Sequence, residues 1–521
     1  MNLINDNWLF VRYNDGSIKQ VSIRQAFQDA EIIKTIETPT FHGTKVYIYD
    51  VPVMQLLTTI LLSAYFKPET HFIAKDEYFQ AIMLEDGEYD VSVVLSYLDK
   101  WQDRFNLFDE KYPFLQDTRL KPYADFNNDD IEAYLPKISL LAPSANNIVF
   151  EKCVSNHRLS FEDYKPDMTE LVYMLLYNQA MGTSPMAAFY PNKTLSANAS
   201  MFVVNYKDNL KNTIFANALP LRNSSTGEMY DRPVWELDDR MEALSKFDVS
   251  TIFKNVLLCT FFPCLPIYIA YDNEVKDIKL AQAGVCDECI LDKELKETLT
   301  QSYITSNPLA IKSEIIDKKT KETVYTYATW NTTTRLIRLC IDVTKQTAIG
   351  ELCPVLSLGS DANTVIYYRE YDDKKCNIKS FGKYELPQRV FTELTKPENH
   401  EKAIQFQNLI NIVKDSFNVF REAMNDMTVT TVNGKQIKHS TTIDNTVATF
   451  NSFAENYFFS DFVDNIADDQ IMTTAYETLC SKANDMAYEL GILAKNPMVF
   501  AEKMGLFYYK LKTAQQEEVN G

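Results

Sequence analysis

The sequence predicts an α+β protein: a mixed, mainly helical and β-rich N-terminal domain over residues 1–385, followed by a C-terminal four-helix bundle over residues 386–521. Three observations predict it. At 521 residues the chain exceeds what one compact core usually holds. Hydrophobic residues make up 46% and charged residues 24%, a globular composition with ample apolar area to bury. The texture of the sequence then changes twice, near Met201 and again after Tyr384-Glu-Leu-Pro387.

The chain opens with two short β-prone runs, Trp8 to Arg12 and Ile18 to Val21, separated by Asn14-Asp15-Gly16. An Asp-Gly pair between such runs favours a tight hairpin. Ser22 with Gln25 three positions on is a capping-box pattern and predicts a helix start. Val53 to Phe66 and Val91 to Phe105 carry apolar residues at helical spacing, and Asp167 with Glu170 caps a third such run, Leu171 to Met181. From Met201 to Tyr371 the runs become short and β-branched or aromatic, as in Ile267 to Tyr271, Thr323 to Trp330 and Thr364 to Tyr368. The stretch Val256 to Tyr271 reads as the most apolar, is broken by Pro263 and Pro266, and is expected to be buried strand rather than membrane span.

Beyond Pro387, residues Ala403, Phe406, Ile410, Val413, Phe417, Phe420 and Met424 mark one apolar helical face. Similar patterns recur at 446–463, 470–490 and 497–512, divided by Asp, Asn, Gly or Pro. Four amphipathic segments in succession predict a bundle.

The formal net charge is -19, so the chain by itself is a poor binder of nucleic acid. Two readings follow: a protein with no nucleic-acid role, or one that makes a few aimed contacts while partners neutralise most phosphates. Nine cysteines, mostly isolated, fit a reducing compartment, and the start MNLINDNW lacks a signal-peptide layout, so the expected localisation is cytoplasmic.

Little in the sequence announces catalysis. Only 13 glycines occur, with neither a G-x-G-x-x-G nor a P-loop to cradle phosphates. The five histidines are scattered, and there is no H-E-x-x-H or G-x-S-x-G. Cys153 and His157 are the best nucleophile and base pair, but no third group accompanies them. Cys286-Asp-Glu-Cys289 is one C-x-x-C, half of a structural zinc site; Cys259 and Cys264 would complete it only if the chain folds back, and otherwise are inert core. Local positive charge gathers at Lys193, Lys207 and Lys211, at Lys293 and Lys296, and at Lys318, Lys319, Lys321, Arg335 and Arg338, as phosphate contacts or as solvated loop charge.

Several stretches, in order, resemble the CasA family, the large subunit of the type I-E CRISPR surveillance complex called Cascade. They are Asn2 to Arg12 with Asp15-Gly16, Tyr112-Pro-Phe-Leu-Gln116, Leu141-Ala-Pro-Ser-Ala-Asn-Asn147 with Phe150, and Leu176-Tyr-Asn-Gln-Ala180. The resemblance implies no active site. It implies a subunit that recognises the protospacer-adjacent motif of target double-stranded DNA, helps open the duplex and helps recruit the system's helicase-nuclease. The implied partners are guide RNA and the Cascade backbone and small subunits, with no membrane. An acidic scaffold that binds only protein is the alternative.

By resemblance, the guide contacts fall at Asn147, Phe150 and the segment after them. An aromatic ring at 150 offers a base a stacking face, or else packs in the core. The family's glycine-rich loop corresponds to Gly182 to Ala188, followed by Lys193. Gly182 is the one glycine there, and Ala187 and Ala188 are the small residues that permit close approach. The family's minor-groove lysine corresponds to Lys293 or Lys296, and its glutamine wedge to Gly359-Ser-Asp-Ala-Asn363, where Asp361 or Asn363 stands in for glutamine.

Overall fold

In the computed structural model the residues described are 1–41, 43–65, 90–124, 166–182, 194, 196–218, 232–238, 256–261, 266–272, 277–282, 307, 309–316, 321, 323–327, 363–371, 378–386, 388–394, 396–424, 427–432 and 435–518. They cluster in two compact units, one holding the described residues from Met1 to Leu386, the other those from Gln388 to Glu518.

The first unit begins with the hairpin the sequence predicts. Strands β1 (Leu9–Tyr13) and β2 (Ile18–Val21) pair antiparallel, and β3 (Ile33–Ile36) pairs on the other side of β1. Gly16 sits at φ 85 in the turn, a conformation that costs a residue with a Cβ about 1–2 kcal/mol. Ser22 caps helix α1 (Ile23–Gln28), its Oγ accepting from Gln25 N at 3.1 Å. The reciprocal half of a capping box is not made, because the Gln25 amide instead donates to Asp29 Oδ2 at 2.7 Å. Trp8 is fully buried and its Nε1 donates to Leu3 O at 2.9 Å, so its one polar atom is satisfied inside the core.

Two minimal strands, β4 (Thr40–Phe41) and β5 (Thr44–Lys45), lead to α2 (Asp50–Tyr65), which is buried from Asp50 to Ala64. A helix apolar all round belongs in a core, and α3 (Val91–Trp101), α4 (Met168–Met181) and α5 (Leu210–Asn217) all pack on α2. The window Tyr47–Tyr65 is long and apolar enough to cross a membrane, yet 94% of it is buried inside the protein. It, not 256–271, is the most membrane-like run among the described residues. Asp90 and Asp167 cap α3 and α4 through their carboxylates, to Ser92 N at 2.9 Å and to Glu170 N at 2.8 Å.

The expectation of one buried strand over Val256 to Tyr271 needs correcting. Val256–Thr260 is a short helix, α6, and strand appears only at Ile267–Asp272, β7, which pairs with β8 (Asp277–Gln282). Apolar runs of this length are ambiguous between helix and strand, and Pro266, lacking an N–H, stands just ahead of the strand.

A second three-stranded sheet has the order β12-β11-β6, from β6 (Met201–Tyr206), β11 (Asn363–Tyr371) and β12 (Ile378–Leu386), with β9 (Lys312–Ile316) and β10 (Thr323–Tyr327) as a separate pair. Tyr368 lies opposite Gly382 in the register, and a Cβ at 382 would meet the Tyr368 hydroxyl at 2.6 Å. The glycine makes room for a ring that also stacks on Tyr384.

The second unit contains the four predicted helices: α7 (Pro397–Ser416), α8 (Thr441–Tyr457), α9 (Ile471–Leu493) and α10 (Pro497–Glu518). Every residue of the apolar face from Ala403 to Met424 is buried, although the chain tightens to a 3-10 turn at Phe417–Phe420 before one last helical turn. Phe406 meets Phe462 at 4.3 Å between ring centroids, and Phe420 meets Phe500 at 4.3 Å, so aromatic pairs bind the bundle at two levels. A hairpin absent from the predicted elements, β13 (Met427–Val432) with β14 (Lys435–Ser440), lies between the first two helices in the chain. Its signal is present: Asn433-Gly434 joins two β-prone runs.

Candidate nucleic-acid interface

Helix α4 delivers its C-terminus to Gly182, the first residue of the predicted small-residue loop. Gly182 N donates to Asn178 O at 3.0 Å, and its own carbonyl accepts from both the N and the Oγ1 of Thr194, each at 3.1 Å. The two flanks of the segment are therefore tied at their base. A Cβ on residue 182 would lie 2.6 Å from Asn178 O and 2.8 Å from Asn178 Cα, both backbone atoms, so the site demands glycine by close approach rather than by dihedral angle.

Strand β11 starts at Asn363, which is exposed, in the position the sequence analysis gives to the wedge. Side chains alternate along a strand, so Asn363, Val365, Tyr367 and Arg369 share one face. Asn363 meets solvent while the other three are buried.

Arg369 is 0% exposed and all five of its N–H groups have acceptors. Nε donates to Ala199 O at 2.8 Å; Nη1 donates to Tyr177 OH at 2.9 Å and Met181 O at 2.8 Å; Nη2 donates to Ser196 O at 2.8 Å and Ala197 O at 3.2 Å. Removing the acceptors of a buried guanidinium costs several kcal/mol, so the geometry is strongly held. The same strand carries Tyr367, whose hydroxyl donates to Asp50 Oδ2 at 2.9 Å and lies 2.6 Å from the Tyr206 hydroxyl. Thr38 Oγ1 donates to the same Asp50 oxygen at 2.6 Å. Burial pushes the Asp50 carboxyl up to about 7, against the opposing effect of these two donors.

The described residues place few other predicted contacts. Asn147, Phe150, Ala187, Ala188, Lys193, Lys293, Lys296, Asp361, Cys286 and Cys289, with Cys153 and His157, lie outside them. Gly182 and Asn363 lie within, and strand β11 is the element common to their surroundings. Lys211 is a surface ion pair with Glu31 at 2.7 Å, a solvated charge rather than a free cation. Cys259 and Cys480 are buried thiols outside any disulfide, and burial pushes the Cys480 thiol up to about 11. Among the described residues no group of three or more His, Cys, Asp or Glu is placed to hold a metal.

The motif Tyr112 to Gln116 proves structural. Gln116 is buried, its amide donating to Leu107 O at 2.6 Å and its Oε1 accepting from Ile269 N at 2.7 Å. Gln179 on α4 donates to Leu115 O at 2.9 Å, which fixes the helix that ends at Gly182. Sequence reasoning missed Arg369, Tyr177 and Asp50. A lone arginine within Thr-Val-Ile-Tyr-Tyr-Arg is itself a signal, because a strand interior rarely accepts a charge without dedicated acceptors.

The family model described as CRISPR-associated protein Cse1 matches residues 2–251. Solved structures match the whole chain. The Thermobifida fusca Cse1 crystal structure is 15% identical, with a TM-score of 0.68, covering 100% of this chain and 98% of that one. Thermus thermophilus CasA (Cse1) is 14% identical with a TM-score of 0.63, covering 99% of each chain. A chain of a structure described as a CRISPR RNA-guided surveillance complex is 12% identical with a TM-score of 0.60, covering 98% of this chain and 99% of that chain. Comparison with curated protein sequences gives no significant match. At such identities the structural likeness is one of fold.

Proposed function

We propose, from the premise of a chain that matches the Cse1 family over residues 2–251 and has the Cse1 fold along its whole length, that this protein is the large, non-catalytic subunit of a Cascade-type, RNA-guided DNA surveillance complex. In this reading it acts in the cytoplasm beside a guide RNA and the backbone and small subunits. It recognises the protospacer-adjacent motif, helps separate the first base pairs so that the guide can pair, and helps recruit the helicase-nuclease.

The observation that carries the reading is the full-length fold match, since both the mixed unit and the bundle are accounted for. The acidic total supports it in one respect: with net charge -19, grip on phosphates falls to partners, leaving this chain a few aimed contacts. Seven of the nine exposed large hydrophobics among the described residues lie on α9 and α10: Tyr488, Ile492, Leu493, Met498, Leu506, Tyr508 and Tyr509. A concentration of this kind marks a surface that another protein covers. By position, Gly182 to Ala188, Lys193, Lys293 or Lys296, and Asp361 or Asn363 are the motif-reading groups, with Asn147 and Phe150 at the guide.

The test is co-purification of the tagged chain with a guide RNA and a multi-subunit backbone, followed by binding of duplexes that carry or lack a flanking motif. A chain that recovers neither RNA nor partners refutes the assignment, and one that recovers protein partners without RNA leaves the protein-only scaffold.

A further inference from the structure

Arg369 reaches two segments remote from it in sequence: the last turn of α4, through Tyr177 and Met181, and the chain from Ser196 to Ala199. The strand backbone adds another link, Arg369 N donating to Ser200 O at 2.9 Å. The guanidinium also lies between the rings of Tyr177 and Phe202, 5.8 and 5.7 Å from their centroids. Met181 adjoins Gly182, and Ser196 follows Thr194 by two residues, so the pair that closes the base at 3.1 Å is bracketed by acceptors of one side chain. A core that needed only filling would take a hydrophobe here, since desolvating a guanidinium is costly. What the planar fork supplies instead is fixed direction to several acceptors at once.

We propose that Arg369 is a positioning residue that sets the exit of α4 and the chain from Thr194 to Ala199 against β11, so that the surroundings of Gly182 and the strand that begins at Asn363 answer to one buried side chain. The coupling stands on the geometry alone; its consequence for DNA rests on the function proposed above.

The experiment uses the full chain and two variants, Arg369→Lys, which keeps charge but loses the fork, and Tyr177→Phe, which removes one acceptor and keeps the ring. Tyr177→Phe serves as the test if Arg369→Lys fails to fold. Hydrogen exchange is read at the amides of Gly182, Thr194 and Arg369. Exchange faster by roughly tenfold or more at all three in Tyr177→Phe is expected, the equivalent of one charge-assisted hydrogen bond. Acceleration confined to α4, or none, overturns the coupling. In the assembled complex, the variant should bind a target with a matching flanking motif less selectively over one with an altered motif, while binding a pre-opened target as the parent does. Unchanged selectivity despite accelerated exchange overturns the positioning role. If the parent complex shows no motif selectivity, the proposed function fails, and the exchange data still decide the coupling.

Discussion

The hydroxyl of Tyr367 donates to Asp50 Oδ2 across 2.9 Å, joining the middle strand of a sheet to the first turn of the central helix over 317 positions of sequence. The acceptor is 4% exposed, and burial holds its pKa near 7, far above an ordinary carboxylate.

That pKa has a definite sign in stability. The folded carboxyl keeps its proton at a pH where the unfolded one has lost it, so Asp50 favours the fold at low pH and this contribution falls as pH rises from about 4 to about 7. Asp50→Asn should remove the slope, a difference of a few kcal/mol across the window. Melting curves of both proteins at a series of pH values check it; parallel curves would contradict the assignment.

Gly182 and Gly505 should respond oppositely to alanine. At 182 the added methyl meets backbone atoms at 2.6 Å, so Gly182→Ala should destabilise by about 1–3 kcal/mol. At 505, within α10, nothing lies within 4 Å and helix propensity alone operates, so Gly505→Ala should stabilise by about 1 kcal/mol. Denaturant titration of the two variants measures both signs.

Phe420 is buried, stacks on Phe500 at 4.3 Å and meets the tilted ring of Phe507 at 5.2 Å. Phe420→Ala should cost about 3–5 kcal/mol, with a lower melting temperature for the bundle. Calorimetry showing an unchanged profile would mean that the aromatic levels are not the core of that unit.

Ile492 and Met498 are 86% and 85% exposed. Replacing both by Glu should leave the isolated chain within about 0.5 kcal/mol of the parent, as surface changes do. Assembly with partner subunits should nevertheless weaken, read as a lower recovered fraction of complex. Full recovery of the complex would free that face from a docking role.

Cys480 should resist a thiol reagent in the folded protein at pH 8 and react on denaturation, because its pKa stands near 11 and the side chain is buried. Rapid labelling of Cys480 in the native state would show that α9 opens locally.

Much of this architecture was legible because periodicity and caps act locally. Ser22 and Asp167 each cap the helix that follows, and the heptad-like run from Ala403 to Met424 is buried residue for residue. The stretch 256–271 was misread because a short apolar run fits helix and strand alike, and only packing decides. The β13–β14 hairpin carries its Asn-Gly signal but lies in the connection between two helical patterns, where a loop fits the same residues. The site was less legible still. Gly182 and Asn363 came from resemblance, whereas Arg369, Tyr177 and Asp50 hold the surrounding geometry through partners 170 or more positions away, a relation that no local spacing encodes.

The paired bonds from Thr194 to the Gly182 carbonyl carry a consequence for insertions and deletions in the chain. With residues 182 and 194 closed on one carbonyl oxygen, a change in the number of residues between them costs a closure entropy that grows only logarithmically, while the glycine beneath stays fixed by its contact with Asn178.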